Sequence, residues 1–227
     1  MAHEIKNPLT SIRSASDTLR AAKTDEQRAK LVDIIQSDVK RMNRLISDIS
    51  RASRVDAALA KEKVQVLDLN LVFKSLCELY EPLLADKQIS SKQMGLPIPA
   101  YVKAYEASLA QVLRNLIDNA MTFSESGSTI ALRLEIVEDG VQIHVEDEGP
   151  GIPPDNLETV FERFYTERPK GAVFGSHSGL GLAICRQIVA AHNGRIWAEN
   201  RRDSGARFTV ELPLQQAENA SSGRSKR

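Results

Sequence analysis

The sequence is poor in cysteine and has neither a net charge nor a long apolar run, and each absence excludes a class of protein. Only two of its 227 residues are cysteines, Cys77 and Cys185, and each lies inside an apolar helical pattern. A thiol in that setting behaves as a small hydrophobic group, which argues against a disulfide framework or a metal site. Basic and acidic residues number 30 each, so no net field draws the chain to nucleic acid.

The apolar residues are also too dispersed for a membrane helix. No run approaches the roughly 20 residues that span a bilayer, and no charged-then-apolar leader is seen. We therefore expect this stretch to be cytoplasmic, without direct membrane contact. A helical pattern is already under way at Met1, which leads us to expect further sequence upstream. The hydrophobic fraction of 42% is that of an ordinary globular protein with one large or two small domains.

Two amphipathic segments open the chain. Apolar residues recur at spacings of four and three between Ile5 and Leu19, and again between Leu31 and Ile49, where Asp38 is the one polar interruption. A short polar turn joins the segments, so the pattern predicts a helical hairpin. Because one hairpin cannot enclose a core, we expect two copies to form a four-helix bundle, and hence a homodimer. The alternative is a hairpin folded back on its own downstream domain.

The composition changes near residues 55 to 63, and shorter elements of both kinds follow. Alternating apolar residues predict strands over 64–69, 128–137, 141–147, 195–199 and 207–212. Longer periodic stretches predict helices over 70–84, 105–123 and 179–191. The Asp-Gly turn at residues 139–140 predicts that the strands beside it are antiparallel neighbours. We expect an α+β chain with a helical hairpin over 1–58, a second domain over 59–214 and a disordered tail over 215–227.

The first helix carries a histidine beside an acid. A neutral imidazole is a nucleophile near neutral pH, and the Glu4 carboxylate can accept the proton of His3 as it attacks phosphorus. Asn7 lies one turn on, on the same face, where it could hold a water in line with a phosphorus on His3. Pro8 removes a helical hydrogen bond and indicates a bend. Alternatively, these are ordinary surface residues.

The strand over residues 141–147 ends abruptly in an acid and two glycines. Such an end can place the Asp147 carboxylate at the strand mouth, while Gly149 and Gly151 let the backbone turn sharply against a flat ligand. Asp147 is then a candidate acceptor for a ligand's hydrogen-bond donor. The alternative is a plain turn, because acid-glycine strand ends are common.

Two further motifs have the chemistry of a metal and phosphate site. Asn115 and Asn119 lie one turn apart on one helix, and amide oxygens suit Mg²⁺ when phosphates and waters complete its shell. Alternatively, the two amides are solvated or cap neighbouring turns. The turn Ser178–Gly181 precedes a helix, whose N-terminal amides and dipole favour an anion. Alternatively, it is a plain helix entry.

A long loop over residues 153–178 separates these motifs. A loop of that length inside a compact domain is usually functional or mobile. It contains an aromatic cluster at residues 161–165, which could anchor a lid while Arg163, Arg168 and Lys170 meet phosphates. A small cluster that merely pins a surface loop would look the same.

Together, five motifs resemble the sensor histidine kinases of two-component systems over residues 2 to 214. The strings HEIKNPL, NLIDNA, DEGPGI, FERFY and GLGLAI stand in the order of the family's H, N, G1, F and G2 boxes. The resemblance implies a dimeric hairpin with the phosphoacceptor, followed by a Bergerat-type α/β sandwich that binds ATP on a mixed sheet. It also implies phosphoryl transfer to the receiver domain of a response regulator and a parent protein anchored in the bacterial inner membrane.

The resemblance assigns a role to each motif. His3 matches the phosphoacceptor, Glu4 its base, and Asn7 the residue that positions water for a reverse phosphatase activity. Asp147 matches the acceptor for the adenine amino group, with Gly149 and Gly151 giving close approach. The remaining implied residues hold Mg²⁺ and the phosphates or form the lid, and they are Asn115, Asn119, Phe164, Arg168, Ser178, Gly179, Leu180 and Gly181.

Three departures from the family pattern accompany these matches. Thr122 stands where the family usually has Lys, Thr166 stands where it often has Arg, and the first helix begins close to the histidine. A dimeric scaffold that binds nucleotide without phosphorylating itself is therefore an alternative. A clamp ATPase of the topoisomerase or chaperone type is disfavoured, because Asn115 is an amide where those enzymes use a Glu to activate water.

Overall fold

The computed structural model describes residues 2–59, 62–138, 140–165 and 179–215. The chain divides into two compact units, Met1–Arg54 with Glu162–Gly181 and Val55–Phe161 with Leu182–Arg227. The predicted domain limits at residues 58 and 214 remain predictions, and most of the predicted tail lies outside the described residues. No helix in these described ranges is long and apolar enough to cross a membrane.

The predicted hairpin helices are confirmed. Helix α1 spans Ala2–Leu19 and contains Pro8, and helix α2 spans Asp25–Leu59. The start of α2 is capped, because the Thr24 hydroxyl accepts from Gln27 N and the Gln27 side chain accepts from Lys23 N. The polar Asp38 on the apolar seam is buried, with 8% of its surface exposed.

After α2, the described residues form three further α-helices and seven strands. The helices are α3 (Leu69–Asp86), α4 (Glu106–Phe123) and α5 (Gly181–Ala191). The strands are β1 (Gln65–Asp68), β2 (Ser90–Met94), β3 (Tyr101–Ala104), β4 (Thr129–Val137), β5 (Gly140–Glu146), β6 (Arg195–Asn200) and β7 (Ala206–Pro213). Two short 3₁₀ turns, Pro154–Asn156 and Thr159–Phe161, follow β5.

Five strands form one mixed sheet in the order β2-β4-β5-β7-β6. Strands β2 and β4 run parallel, whereas the β4–β5, β5–β7 and β7–β6 pairs are antiparallel. Strands β1 and β3 form a separate antiparallel pair. Both predicted hairpins are therefore confirmed, and so is the fold class, a helical hairpin followed by an α/β domain with a mixed sheet.

Strand periodicity decides which side chains enter the core. In β4 the buried residues alternate as Ile130, Leu132 and Leu134, and Val141, Ile143 and Val145 do the same in β5. They face apolar residues of α3 and α4, such as Phe73, Leu113 and Ile117, around a small cavity. Each fully buried side chain of this size contributes about 1.5–3 kcal/mol, so this face holds the helices on the sheet.

The start of α4 is held by groups from distant parts of the second unit. The side chain of Tyr105 forms no cap, but its backbone N–H donates to His192 Nε2 at 2.9 Å. The Ser108 hydroxyl donates to Glu62 Oε1 at 2.6 Å, so a carboxylate from the linker lies at the positive end of the helix. These contacts fix the orientation of the helix that carries Asn115 and Asn119.

Candidate functional site

Asp147, directly after β5, is the most buried acid of the site, with 2% of its surface exposed. Its Oδ1 accepts from Gly149 N at 2.9 Å and from Ala206 N at 3.1 Å. Burial raises the pKa of this carboxyl, whereas the two backbone hydrogen bonds and the nearby Arg201 charge lower it. A buried acceptor held by its own backbone is pre-organised to meet a donor.

Gly149 and Gly151 are required by close contacts within the protein. A Cβ at Gly149 would lie 2.6 Å from the Phe123 carbonyl oxygen, at the last residue of α4. Gly151 has φ +77°, and a Cβ there would lie 2.8 Å from Asn200 Oδ1. The loop after Asp147 therefore packs directly against the end of α4. Whether the same glycines approach a ligand stays a prediction.

Asn115 and Asn119 lie on α4 as predicted, and both are half-buried. The Asn115 amide donates to the buried thiol of Cys185 on α5, with 3.6 Å between the nitrogen and Sγ. Burial raises the pKa of the Cys185 thiol to about 12, so this sulfur is a neutral acceptor near neutral pH. Asn119 lies one turn before Phe123, the last residue of α4.

No cluster of His, Cys, Asp and Glu able to hold a metal occurs among the residues described in the structure. Hard oxygen donors remain in the two Asn amides, which suit Mg²⁺ when phosphate oxygens complete its shell. The residues therefore fit a magnesium ion brought in with a nucleotide.

The Thr122 hydroxyl, where the family usually has Lys, donates to the Asp118 carbonyl of its own helix at 2.7 Å.

The glycine turn before α5 is only partly described. Gly179 has φ +69°, Leu180 is buried, and Gly181 is the first residue of α5. Phe164, also with positive φ, donates its N–H to the Gly179 carbonyl at 2.8 Å. This backbone hydrogen bond joins the two described residues directly. Arg168 and Ser178, which the motifs predict for the phosphate site, lie outside the described residues.

The predicted phosphoacceptor lies in the first turns of α1. The backbone of His3 and Glu4 is helical, whereas their side chains lie outside the described part of the structure. Asn7 is described and exposed, and Pro8 is buried. Asn7 follows His3 by four residues of helix, which places both on one face.

Three residues in and beside the turn between β6 and β7 contact the Asp147 loop and were not predicted from the sequence. Arg201 Nη1 donates to the Asp147 carbonyl at 2.6 Å, and Asn200 hydrogen-bonds both the N–H and the carbonyl of Ile152. Gly205, with φ +84°, lies so close that a Cβ would be 2.0 Å from Asp147 O. The sequence marked this segment only as a hairpin turn, and no local signal connects it to Asp147.

Two family models match the chain. Residues 1–58 match the His Kinase A (phospho-acceptor) domain, and residues 104–216 match the family described as histidine kinase-, DNA gyrase B-, and HSP90-like ATPase. The first contains His3, and the second contains the two Asn residues, Asp147 and the glycine turn.

Known proteins agree with both matches. The sensor protein ChvG of Agrobacterium fabrum is 44% identical over 225 residues, which cover 94% of this chain and 38% of ChvG. The catalytic domain of the histidine kinase ThkA is 30% identical, with a TM-score of 0.59 over 66% of this chain and 95% of that domain. A structure of ThkA in complex with the response regulator TrrA has a TM-score of 0.71 and is 27% identical, covering 94% of this chain and 60% of that chain.

The chain thus spans well under half the length of ChvG. Its two matched regions, a phosphoacceptor domain followed by an ATPase domain, occur in the order expected from the five motifs. The chain therefore belongs to the sensor histidine kinases and contains the catalytic core of that family.

Proposed function

We propose that this chain uses ATP to phosphorylate its own His3 and then passes the phosphoryl group to an Asp of a response regulator. The observation that carries the proposal is the buried Asp147 beside the end of α4, in a chain whose first 58 residues match a phosphoacceptor domain. The complex of ThkA with TrrA, a related kinase with its regulator, supports the choice of partner.

Residues after the hairpin supply the nucleotide site. The Asp147 carboxylate accepts a hydrogen bond from the adenine amino group. Gly149 and Gly151 allow the adjoining backbone to lie close to the nucleotide. Asn119 and Asn115 hold Mg²⁺, which neutralises phosphate charge when bound. Phe164, Arg168 and the turn Ser178–Gly181 complete the phosphate end, where helix-start amides favour anions.

The chemical step exchanges one bond to phosphorus for another. The bond from the γ-phosphorus to the bridging oxygen of ATP breaks as an imidazole nitrogen of His3 forms a P–N bond, and ADP leaves. The lone pair of the attacking nitrogen forms this bond, and Glu4 accepts the proton of the other ring nitrogen, so that the phosphorylated imidazole is left uncharged. Positioning and charge neutralisation supply most of the rate enhancement in such transfers.

The hairpin supplies the remaining roles. Two copies associate through α1 and α2 as a homodimer, and the response regulator takes the phosphoryl group from His3. Asn7 holds a water for the reverse reaction, removal of phosphate from the regulator, because its exposed amide lies one turn from His3.

Incubation with γ-labelled ATP tests the proposal. We expect label on the protein that is stable in alkali, labile in acid and absent from His3→Gln, as required of a phosphoramidate. The labelled protein should lose its label to a receiver domain. Nucleotide binding without label would contradict the kinase and favour the scaffold. Steady ATP hydrolysis that survives His3→Gln would favour a clamp ATPase instead.

A further inference from the structure

The loop that carries Asp147 is bound at both ends by neighbouring side chains. Arg201 Nη1 donates to the Asp147 carbonyl at 2.6 Å. Asn200 Oδ1 accepts from Ile152 N at 2.7 Å, and Asn200 Nδ2 donates to the Ile152 carbonyl at 2.6 Å. Both ends of the bend from Asp147 to Ile152 are therefore held by two consecutive residues at the end of β6.

Arg201 is itself held in place. Its Nε lies 3.5 Å from Glu146 Oε2, while Arg207 Nε donates to the other Glu146 oxygen at 2.8 Å. The side chain of Arg201 is 24% exposed, so the guanidinium is largely removed from solvent. A planar guanidinium with two separate partners has one orientation, which a flexible ammonium would not have.

We propose that Arg201 is a positioning residue for the adenine end of the nucleotide site, where it sets the place of the Asp147 carboxylate by holding the Asp147 carbonyl. Asn200 holds the far end of the same loop. This inference rests on the proposed function, because it requires an adenine nucleotide at Asp147. It adds residues that lie 53 and 54 positions after Asp147 in the sequence and match none of the five motifs.

The charge of Arg201 has a second effect on the same acid. Burial raises the pKa of Asp147, and the Arg201 guanidinium opposes that rise. Other charges on neighbouring residues are Glu146 and Arg207, which pair with each other, and Glu148, whose carboxylate accepts from Thr129 N at 2.8 Å. Removing Arg201 should therefore raise the pKa of Asp147, so that the acceptor becomes protonated at a higher pH.

The test compares Arg201→Met with Arg201→Lys and with Arg207→Met. Arg207→Met is the matched control, because it removes a guanidinium from the same Glu146 without touching the Asp147 carbonyl. Affinity for a non-hydrolysable ATP analogue is measured by calorimetry between pH 5 and pH 8. Urea unfolding is measured in parallel, to confirm that each variant is folded at the temperature used.

We expect Arg201→Met to bind the analogue about tenfold more weakly at pH 7.5, as for the loss of a hydrogen bond to a charged group. The pH at which half of the binding is lost should move upward. Arg201→Lys should restore the wild-type pH profile, because it restores the charge. Arg207→Met should keep both the affinity and the profile of the wild type.

Two outcomes would overturn the inference while leaving the proposed function standing. One is an Arg201→Met variant whose affinity and pH profile equal those of the wild type. The other is an equal loss in Arg207→Met, which would assign the effect to the Glu146 network as a whole. If Arg201→Met does not fold, the charge-preserving variant Arg201→Lys is the test. Unchanged affinity together with a displaced pH profile in Arg201→Lys would contradict the proposal. A wild type that binds no nucleotide would overturn the proposed function and this inference together.

Discussion

At the scale of single residues, two buried polar side chains of β5 and the loop after it are held by hydrogen bonds within the protein. Asp147 keeps one oxygen bound to two backbone amides, so its second oxygen is available to a ligand. His144 lies in β5. Its Nδ1 hydrogen-bonds Thr209 Oγ1 at 3.0 Å, and its Nε2 lies 3.5 Å from the Glu135 carboxylate. Each of these residues allows a direct test.

Asp147→Asn should abolish nucleotide binding with little effect on the fold. The amide oxygen can still accept from Gly149 and Ala206, but the amide nitrogen then faces the adenine donor with a donor of its own. We expect the affinity for the ATP analogue to fall about 100-fold or more, measured by calorimetry. Asp86→Asn, at an exposed acid at the end of α3, is the control and should bind like the wild type. Unchanged binding in Asp147→Asn would refute the assignment.

His144 should make the second unit less stable in mild acid. Burial and the charges of Arg133 and Arg207 lower its pKa, against the opposite effect of Glu135 and Glu146. The pKa of His144 in the folded protein therefore lies below its value of about 6.5 in the unfolded chain. The contribution of the neutral imidazole to the free energy of unfolding is complete above about pH 6.5 and is lost as the pH falls below it.

The measurement is the free energy of urea unfolding at pH 7.5, 6.5 and 5.5. His144→Gln keeps a polar side chain beside Thr209 but cannot titrate. We expect a smaller decline toward pH 5.5 in the variant, by at most about 1.4 kcal/mol per pH unit for one proton. Parallel declines in the two proteins would show that other groups cause the pH dependence.

At the scale of elements, the turn between β6 and β7 supports the loop after β5. Gly205 allows this, because a Cβ there would lie 2.0 Å from the Asp147 carbonyl oxygen. The predicted hairpin of β6 and β7 is therefore also a structural support for the candidate site. Gly127 has a similar positive φ but no atom close to its Cβ position. Comparing the two glycines therefore separates the effect of backbone strain from the effect of the close contact.

Gly205→Ala should destabilise the protein more than Gly127→Ala. The two glycines have φ +84° and +87°, but nothing lies within 4 Å of a Cβ at Gly127. We expect about 1 kcal/mol lost at Gly127 from backbone strain alone, and about 3 kcal/mol or more at Gly205, where Asp147 must also shift. Nucleotide affinity should fall only in Gly205→Ala. Equal losses of stability, measured by urea unfolding, would contradict the close contact.

At the scale of the whole molecule, the hairpin presents apolar side chains on its own surface. Val32 and Val39, seven residues apart on α2, are 38% and 44% exposed, and Leu9 on α1 is 48% exposed. Residues at that spacing share one helix face, and burying them between two copies would stabilise a dimer. The predicted four-helix bundle, which was inferred from the apolar seams of the two helices, would cover these residues only if they lie in its interface.

Replacing both Val32 and Val39 with Lys should convert the dimer to a monomer in light scattering. Leu71→Lys is the control, because Leu71 is 65% exposed but belongs to α3 of the other unit. Nucleotide affinity should be unchanged in both proteins, since the second unit has its own core. A double variant that keeps the mass of a dimer would place the dimer interface elsewhere.

The sequence by itself determined the features that depend on local pattern. Helix and strand periodicity predicted α1, α4 and the hairpin of β4 and β5, because each element selects its own buried face. The five motifs predicted the family, since their residues are close in sequence within each motif. The sequence predicted a role for the glycines after Asp147. It did not predict their contacts with Phe123 and Asn200, which are the contacts that require glycine.

Only the tertiary structure decided which distant residues support the site. Arg201 and Gly205 reach Asp147 across more than fifty residues, because β7 pairs with β5 and brings its preceding turn to the end of that strand. Cys185 meets Asn115 across seventy residues by the packing of α5 on α4. No periodicity or spacing encodes such contacts, since they arise from the order of strands in the sheet and from the packing of helices upon it.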